Sequence, residues 1–212
     1  MDPTASPENM STRERILALA ESSVLEKGFA ATSIEELIAG VGITKGGFFY
    51  HFRDKGVLAK ALLQRYLDRE EAILDEIMAR ADALHEDPLH AFLIALKMFA
   101  ELLQDLPETH PGCLIASFCY QENLFNADVR ELNRKGVLHW RGLFRGRLRQ
   151  IAERYPPRLP IDIDALGDML STIVDGGIIV SKVLREKDVL PRQVLLYREL
   201  VRTVFLGCPN GQ

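Results

Sequence analysis

Little in this chain points to a secreted, membrane-spanning or disulfide-stapled protein. Its 212 residues include three cysteines, an odd and unevenly spaced set. That argues against a disulfide framework and for a reducing, cytoplasmic compartment. The N-terminus is polar, without the apolar core of a signal peptide. No apolar run reaches about 18 residues without a charge, so no membrane span is expected. Strand-like alternation bounded by turns is lacking, and so is any internal repeat. There is no glycine-rich phosphate loop, and no serine or cysteine nucleophile has a base at motif spacing. His85 and His90, with Glu86, stand five apart, not the four that one helix face needs for a metal pair. A surface role is expected for them, with no metal and no cofactor. Net positive charge is missing as well: 26 Lys and Arg against 30 Asp and Glu leave −4. That excludes a general nucleic-acid coat protein.

What is present concentrates between Ser33 and Phe52, SIEELIAGVGITKGGFFYHF. Thr32 and Ser33 are N-cap residue types, each followed three positions later by a glutamate, Glu35 and Glu36. This is the capping-box spacing. Ile34, Leu37, Ile38 and Val41 then recur on one helical face, and Gly42 stands where a helix commonly ends in a left-handed residue. Thr44 caps a second helix about two turns long, and Asp54 offers a cap for a third. Helices this short need a tertiary partner. Thr12 to Lys27 supplies it, with Ile16, Leu17, Ala20 and Val24 on one face, Ser11 and Glu14 as another capping box, and Gly28 then Phe29 at its end. Two short helices about a glycine turn are how a small domain presents a helix to the DNA major groove.

Gly46 and Gly47 leave the start of that helix without side chains, so its backbone can approach a DNA strand. Thr44, Lys45, Tyr50 and His51 supply donors for phosphates or base edges; His51 is equally readable as a surface spectator. Lys55, and Thr32 or Ser33, can meet phosphates at helix starts. Phe48, Phe49 and Phe52 read as core. From Gly42 to Arg65, five cations (Lys45, Arg53, Lys55, Lys60, Arg65) face one anion, Asp54, a short basic edge on an acidic chain that fits salt-sensitive binding.

Arg15-Ile16-Leu17, Gly28-Phe29, Thr32-Ser33-Ile34, Gly42-Ile43-Thr44-Lys45-Gly46, Phe49-Tyr50-His51-Phe52 and Asp54-Lys55 with Leu58 form a spaced set over roughly residues 12 to 62. The set resembles the TetR/AcrR family of transcriptional regulators. The resemblance implies an all-α, non-enzymatic, homodimeric repressor that binds an operator and is released by a ligand. It also implies that recognition-helix residues touch bases and phosphates, with the Lys and Tyr positions mostly on phosphate. Two departures stand out: Ile38 where the family has a small alanine, and the extra glycines Gly40 and Gly47. Each glycine costs about 1 kcal/mol in a helix interior, so the reading helix is expected to be weak alone and ordered on DNA.

The expected organisation is a helix-turn-helix domain over residues 1–55, with 1–10 disordered, and a helical ligand-binding and dimerisation domain over 56–212. About nine helices are expected: Asp54 to Ala83, Pro88 to Leu106, Cys113 to Leu124, Ala127 to Tyr155, Asp164 to Lys187 and Pro191 to Leu206 follow the first three. The last two are apolar over much of their circumference, which requires burial on more than one side. Ile173, Gly176, Gly177, Val180, Leu184, Leu200 and Val204 are the expected dimer contacts, either between subunits or as core of a monomer. Two heads about 34–36 Å apart, or a multiple of that, would read a pseudo-palindromic double-stranded operator. Phe99, Cys113, Phe118, Trp140 and Met169 are candidates to line a pocket for a small apolar or electrophilic ligand, against the alternative of plain core packing. Cys113 follows Pro111-Gly112 at a helix start, which activates a thiol; the alternative is a small buried residue. PGCLIASF resembles a stretch in some TetR-like repressors that sense electrophiles or oxidants. Cys208 reads as incidental. The arginines at 141, 145, 147, 149, 154 and 158 read as the solvated face of an amphipathic helix, or as a second nucleic-acid surface. Two rival functions stand beside the regulator: a thiol enzyme using Cys113, and a helical interaction protein without a DNA role.

Overall fold

The computed structural model describes residues 10–207. The disorder expected of residues 1–10 and the part given to Cys208 lie outside them, apart from Met10. Among the described residues all regular structure is helical: α1 (Thr12–Lys27), α2 (Ile34–Val41), α3 (Lys45–His51), α4 (Lys55–Leu84), α5 (Pro88–Gln104), α6 (Leu114–Tyr120), a 3-10 turn (Glu122–Leu124), α7 (Ala127–Arg154), α8 (Ile163–Leu184) and α9 (Val189–Leu206). The caps read from sequence hold three of these starts. Ser11 Oγ accepts from Glu14 N, Ser33 Oγ from Glu36 N and Thr44 Oγ1 from Gly47 N. Caps of this kind contribute about 1 kcal/mol each.

Contacts divide the chain into two units that do not follow a cut at residue 55/56. One comprises Met1–Asp68 with Gly112–Gly136, and the other Arg69–Pro111 with Val137–Gln212. The expected helix from Cys113 to Leu124 is broken at Gln121, so α6 is only seven residues long.

In the first unit, Ile16, Leu17 and Ala20 of α1, Leu37 of α2, Phe48 and Phe52 close a core with Leu58 and Leu62 of α4. Burial of each large side chain contributes about 1.5–3 kcal/mol. Arg15 donates from its guanidinium to Val41 O, the last residue of α2. Arg65 of α4 reaches Glu14 at 3.0 Å and Glu21 at 2.8 Å on α1. A Cβ at Gly40 would lie 2.5 Å from Leu19 Cδ2, the far end of a flexible side chain on α1.

In the second unit α9 packs on both α5 and α8. Tyr197 is buried and donates to Leu166 O at 2.9 Å, joining α9 to α8. Gly177 is buried against Leu190, where a Cβ would meet Leu190 Cδ1 at 2.8 Å, and Val204 is fully buried. Both were expected at a dimer interface; both are interior to this chain, because α8 and α9 use them to pack on one another. The arginine face of α7 is likewise not free. Arg141 pairs with Asp168 at 2.8 Å and 3.0 Å. Arg145 bridges Asp168 at 2.7 Å and Asp164 at 3.3 Å, and Arg149 holds Asp164 at 2.8 Å. Hydrogen bonds from Arg145 and Arg141 hold Asp168 well below the usual carboxylate range. Arg147 pairs with Asp82 and Arg154 with Asp87. The solvated stripe is therefore mostly an interhelical ladder.

His110 is half-buried, and burial first, then the charges of Lys182 and Arg69, pull its pKa down to about 4. The unfolded chain binds that proton more readily, so stability is fully present above the ordinary histidine pKa and falls as pH drops through the interval down to about 4. A loss of up to roughly 3 kcal/mol is expected across it. Thermal unfolding of His110→Gln should show a flatter decline over the same interval; an identical decline would assign it to other groups.

Candidate nucleic-acid interface

The α2–turn–α3 segment is built as the sequence suggests. Gly42 takes the left-handed conformation, φ 74°, ψ 40°, and its N–H returns to Ile38 O and Ala39 O. A side chain at such φ is strained. Thr44 then restarts the chain as α3, seven residues anchored by Phe48 and Phe52 beneath it. The opposite face carries what can reach a ligand. Tyr50 is 86% exposed, and Thr44, Lys45 and Gly46 are exposed with it. His51 is half-buried and stands edge-on to Tyr50 at 5.1 Å. Cβ atoms built on Gly46 and Gly47 would meet nothing nearer than Thr44 Oγ1, at 3.9 Å and 3.4 Å. The fold itself does not demand a glycine at either position.

Two expected members of the site, Thr32 and Lys55, are turned inward, and a third, Ser33, has its oxygen engaged. Thr32 is 1% exposed; its hydroxyl donates to Gly28 O at 3.0 Å and lies 3.0 Å from Ser23 Oγ. It ties the α1–α2 loop rather than facing solvent. Lys55 turns its ammonium inward, donating to Phe29 O at 2.8 Å, with Nζ 4.6 Å from the Phe29 ring centroid. Desolvation there lowers its pKa. Ser33 remains exposed but its oxygen is engaged as the α2 cap. Phe49, expected in the core, is 41% exposed and adds an apolar surface to the reading face. Of the five cations between Gly42 and Arg65, Arg53, Lys60 and Arg65 pair with acids and Lys55 with carbonyls. Among the described residues Lys45 alone of the five has no such partner.

Behind the head lies a clasp that sequence reasoning did not find. Phe118 of α6 and Phe125 stack at 4.3 Å, and both pack on Phe29. Gln121 Oε1 accepts from Ala30 N at 3.1 Å. Together with Lys55 they grip the α1–α2 loop. Gln121 follows a helix end, and nothing local marks it.

The candidate pocket residues are divided between the two units. Cys113 and Phe118 belong to the first unit and Phe99, Trp140 and Met169 to the second. Phe118 is 1% exposed in the aromatic cluster just described, and Met169 faces outward. Trp140 meets Phe144 edge-on at 6.1 Å. Cys113 is half-buried at the N-cap of α6, and Cys119 is exposed. An open groove of about 510 Å³ lies instead between α1 and α4, lined by Arg13, Glu14, Lys60 and Arg65 among others.

The family model described as "Bacterial regulatory proteins, tetR family" matches residues 16–62, the same span that builds α1 to the start of α4. This segment is a TetR-family N-terminal domain. The chain is similar to the HTH-type transcriptional repressor NemR of Escherichia coli, 26% identical over 128 residues covering 59% of this chain and 61% of NemR. The repressor BepR of Brucella suis is 34% identical over 93 residues, 42% of this chain and 43% of BepR. The matched stretch thus spans about three-fifths of NemR and under half of BepR. Whole-chain folds agree more widely. A TetR transcriptional regulator from Chloroflexus aurantiacus superposes with a TM-score of 0.71 at 25% identity, covering 90% of this chain and 93% of that one. The reduced form of E. coli NemR gives 0.69 at 19% identity, covering 92% and 97%. Among the described residues, no helix is long and apolar enough to cross a membrane.

Proposed function

We propose that this TetR-family chain is a cytoplasmic transcriptional repressor. It binds a pseudo-palindromic operator as a homodimer and leaves DNA when a small apolar or electrophilic ligand binds or when Cys113 is modified. The observation that carries the reading is the exposed face of α3, with Lys45, Gly46 and Tyr50 outward and Phe48 and Phe52 fixing the helix from below. NemR and BepR are named repressors, which supports repression over activation. That NemR has a structure titled as its reduced form supports a thiol at Cys113 as a switch. The clasp around Phe29 supports a route from α6 to the head, because Cys113 caps the helix that ends at Gln121. DNA must then weaken the effector's binding by the same factor that the effector weakens DNA.

The dimer reading rests on an apolar face. Ile179, Val180, Val183 and Leu184 of α8 and Leu195 and Leu196 of α9 are exposed, with Gly176 bare beside them and Ile173 and Leu200 half-buried. Contiguous exposed apolar surface marks an interaction site. Glutamate at both Val183 (75% exposed) and Leu196 (64% exposed) should leave a folded monomer by light scattering. Its operator affinity should fall at least about 100-fold, since one half-site contact replaces two. A dimer that survives both substitutions places the interface elsewhere.

A mobility shift against DNA upstream of the chain's own gene tests the whole reading. A sequence-dependent, salt-sensitive shift relieved by an oxidant or electrophile is expected. No shift at any salt sinks it, and release that persists in Cys113→Ser removes the thiol switch.

A further inference from the structure

The turn between α4 and α5 holds a group that DNA binding does not use. His85 follows the last residue of α4, Asp87 caps α5 and His90 sits in its first turn. On one helix a spacing of five would splay the two imidazoles apart. Here a turn separates them and folds them face to face, ring centroids 4.8 Å apart and 19° from parallel. Candidate ligand atoms of His85, Asp87 and His90 all lie within 4.8 Å of one another. Two imidazoles and a carboxylate suit zinc, nickel or copper(II) rather than magnesium or calcium.

Asp87 already stands as a carboxylate behind a metal-binding histidine stands. Its Oδ1 lies 2.8 Å from His90 Nδ1 and also accepts from Leu89 N and His90 N, both at 3.1 Å. Its Oδ2 accepts from Tyr155 Oη at 2.7 Å and faces Arg154 at 3.4 Å. A carboxylate oxygen at hydrogen-bond distance from Nδ1 orients the ring and favours the tautomer that leaves Nε2 of His90 with the lone pair. His85 Nδ1 rests on Asp87 N at 3.0 Å. Its side chain is exposed and must release that bond and turn to offer a ring nitrogen.

We propose that His85 and His90 bind one divalent transition-metal ion, with Asp87 orienting His90 from behind and water completing the coordination. Nitrogens on a tetrahedral ion at 2.0–2.1 Å are roughly 3.4 Å apart, a separation that a turn of the exposed His85 ring can reach from atoms already within 4.8 Å. The bound ion ties the end of α4 to the start of α5.

The test uses the full-length chain with its thiols alkylated, so that cysteines do not compete. Calorimetric titration with zinc chloride should give one equivalent per chain with micromolar affinity. His85→Gln and His90→Gln should each weaken it at least about tenfold while leaving the Asp87 cap and the helical circular dichroism intact. Loaded with copper(II), the chain should show hyperfine coupling to two nitrogens in electron paramagnetic resonance, reduced to one in either variant. No saturable zinc uptake up to about 100 μM, or equal uptake by both variants, overturns the proposal.

Discussion

A chain carrying Lys45→Ala with Tyr50→Ala is expected to bind its operator about 1,000-fold more weakly than the wild type. Each head loses two contacts, and a dimer has two heads. Four contacts at about 1 kcal/mol each come to about 4 kcal/mol, or roughly three decades in affinity. Lysine and tyrosine also leave separate marks. Removing one phosphate-neutralising cation per head should reduce the slope of log affinity against log salt by about 2, and the tyrosine should not change it. Both side chains are exposed, so the melting temperature should stay within about a degree or two of wild type. Fluorescence anisotropy at two or more fixed salt concentrations separates these effects. An unchanged affinity would remove α3 from the interface.

Phe118→Ala should act on stability before it acts on regulation. The ring is 1% exposed, stacked on Phe125 at 4.3 Å and set against Phe29 at 5.6 Å. Truncating a buried phenylalanine costs about 3–5 kcal/mol in transfer and cavity terms. For a chain of this size that lowers the melting temperature by roughly 10 °C. A pocket-lining Phe118 would behave differently: its loss would dull the effector response and leave the melting temperature nearly unchanged. Thermal denaturation and effector-induced release, measured on one preparation, distinguish the two.

The sequence was most legible where structure is made locally. Ser11, Ser33 and Thr44 cap helices within three residues of themselves, and Gly42 makes its turn with Ile38 and Ala39. The face of α3 follows, because Phe48 and Phe52 fix which side is buried. Long-range partners were not legible. Thr32 is a good cap by type, but Ser23 and Gly28 draw it inside. Lys55 has the right charge for phosphate, but the carbonyl of Phe29, 26 positions earlier, reaches it first. Gln121 carries no pattern at all. His85 and His90 were set aside by a spacing rule that assumes one continuous helix, and a turn between them suspends that rule. The outward stripe of α8 and α9 was half legible: the pattern of small and apolar residues names Gly177 and Val204 as readily as Val180 and Leu184, and only the packing of α8 on α9 sorts the inner residues from the outer.

The ladder between α7 and α8 has a consequence for how the sequence can drift. Asp168 is shared by Arg141 and Arg145, and Asp164 by Arg145 and Arg149. Losing either outer arginine still leaves each aspartate a guanidinium partner. The joint therefore fails by degrees. A lineage can replace Arg141 or Arg149 singly and remain folded, whereas Arg145 and the two aspartates are positions where one change breaks several rungs together.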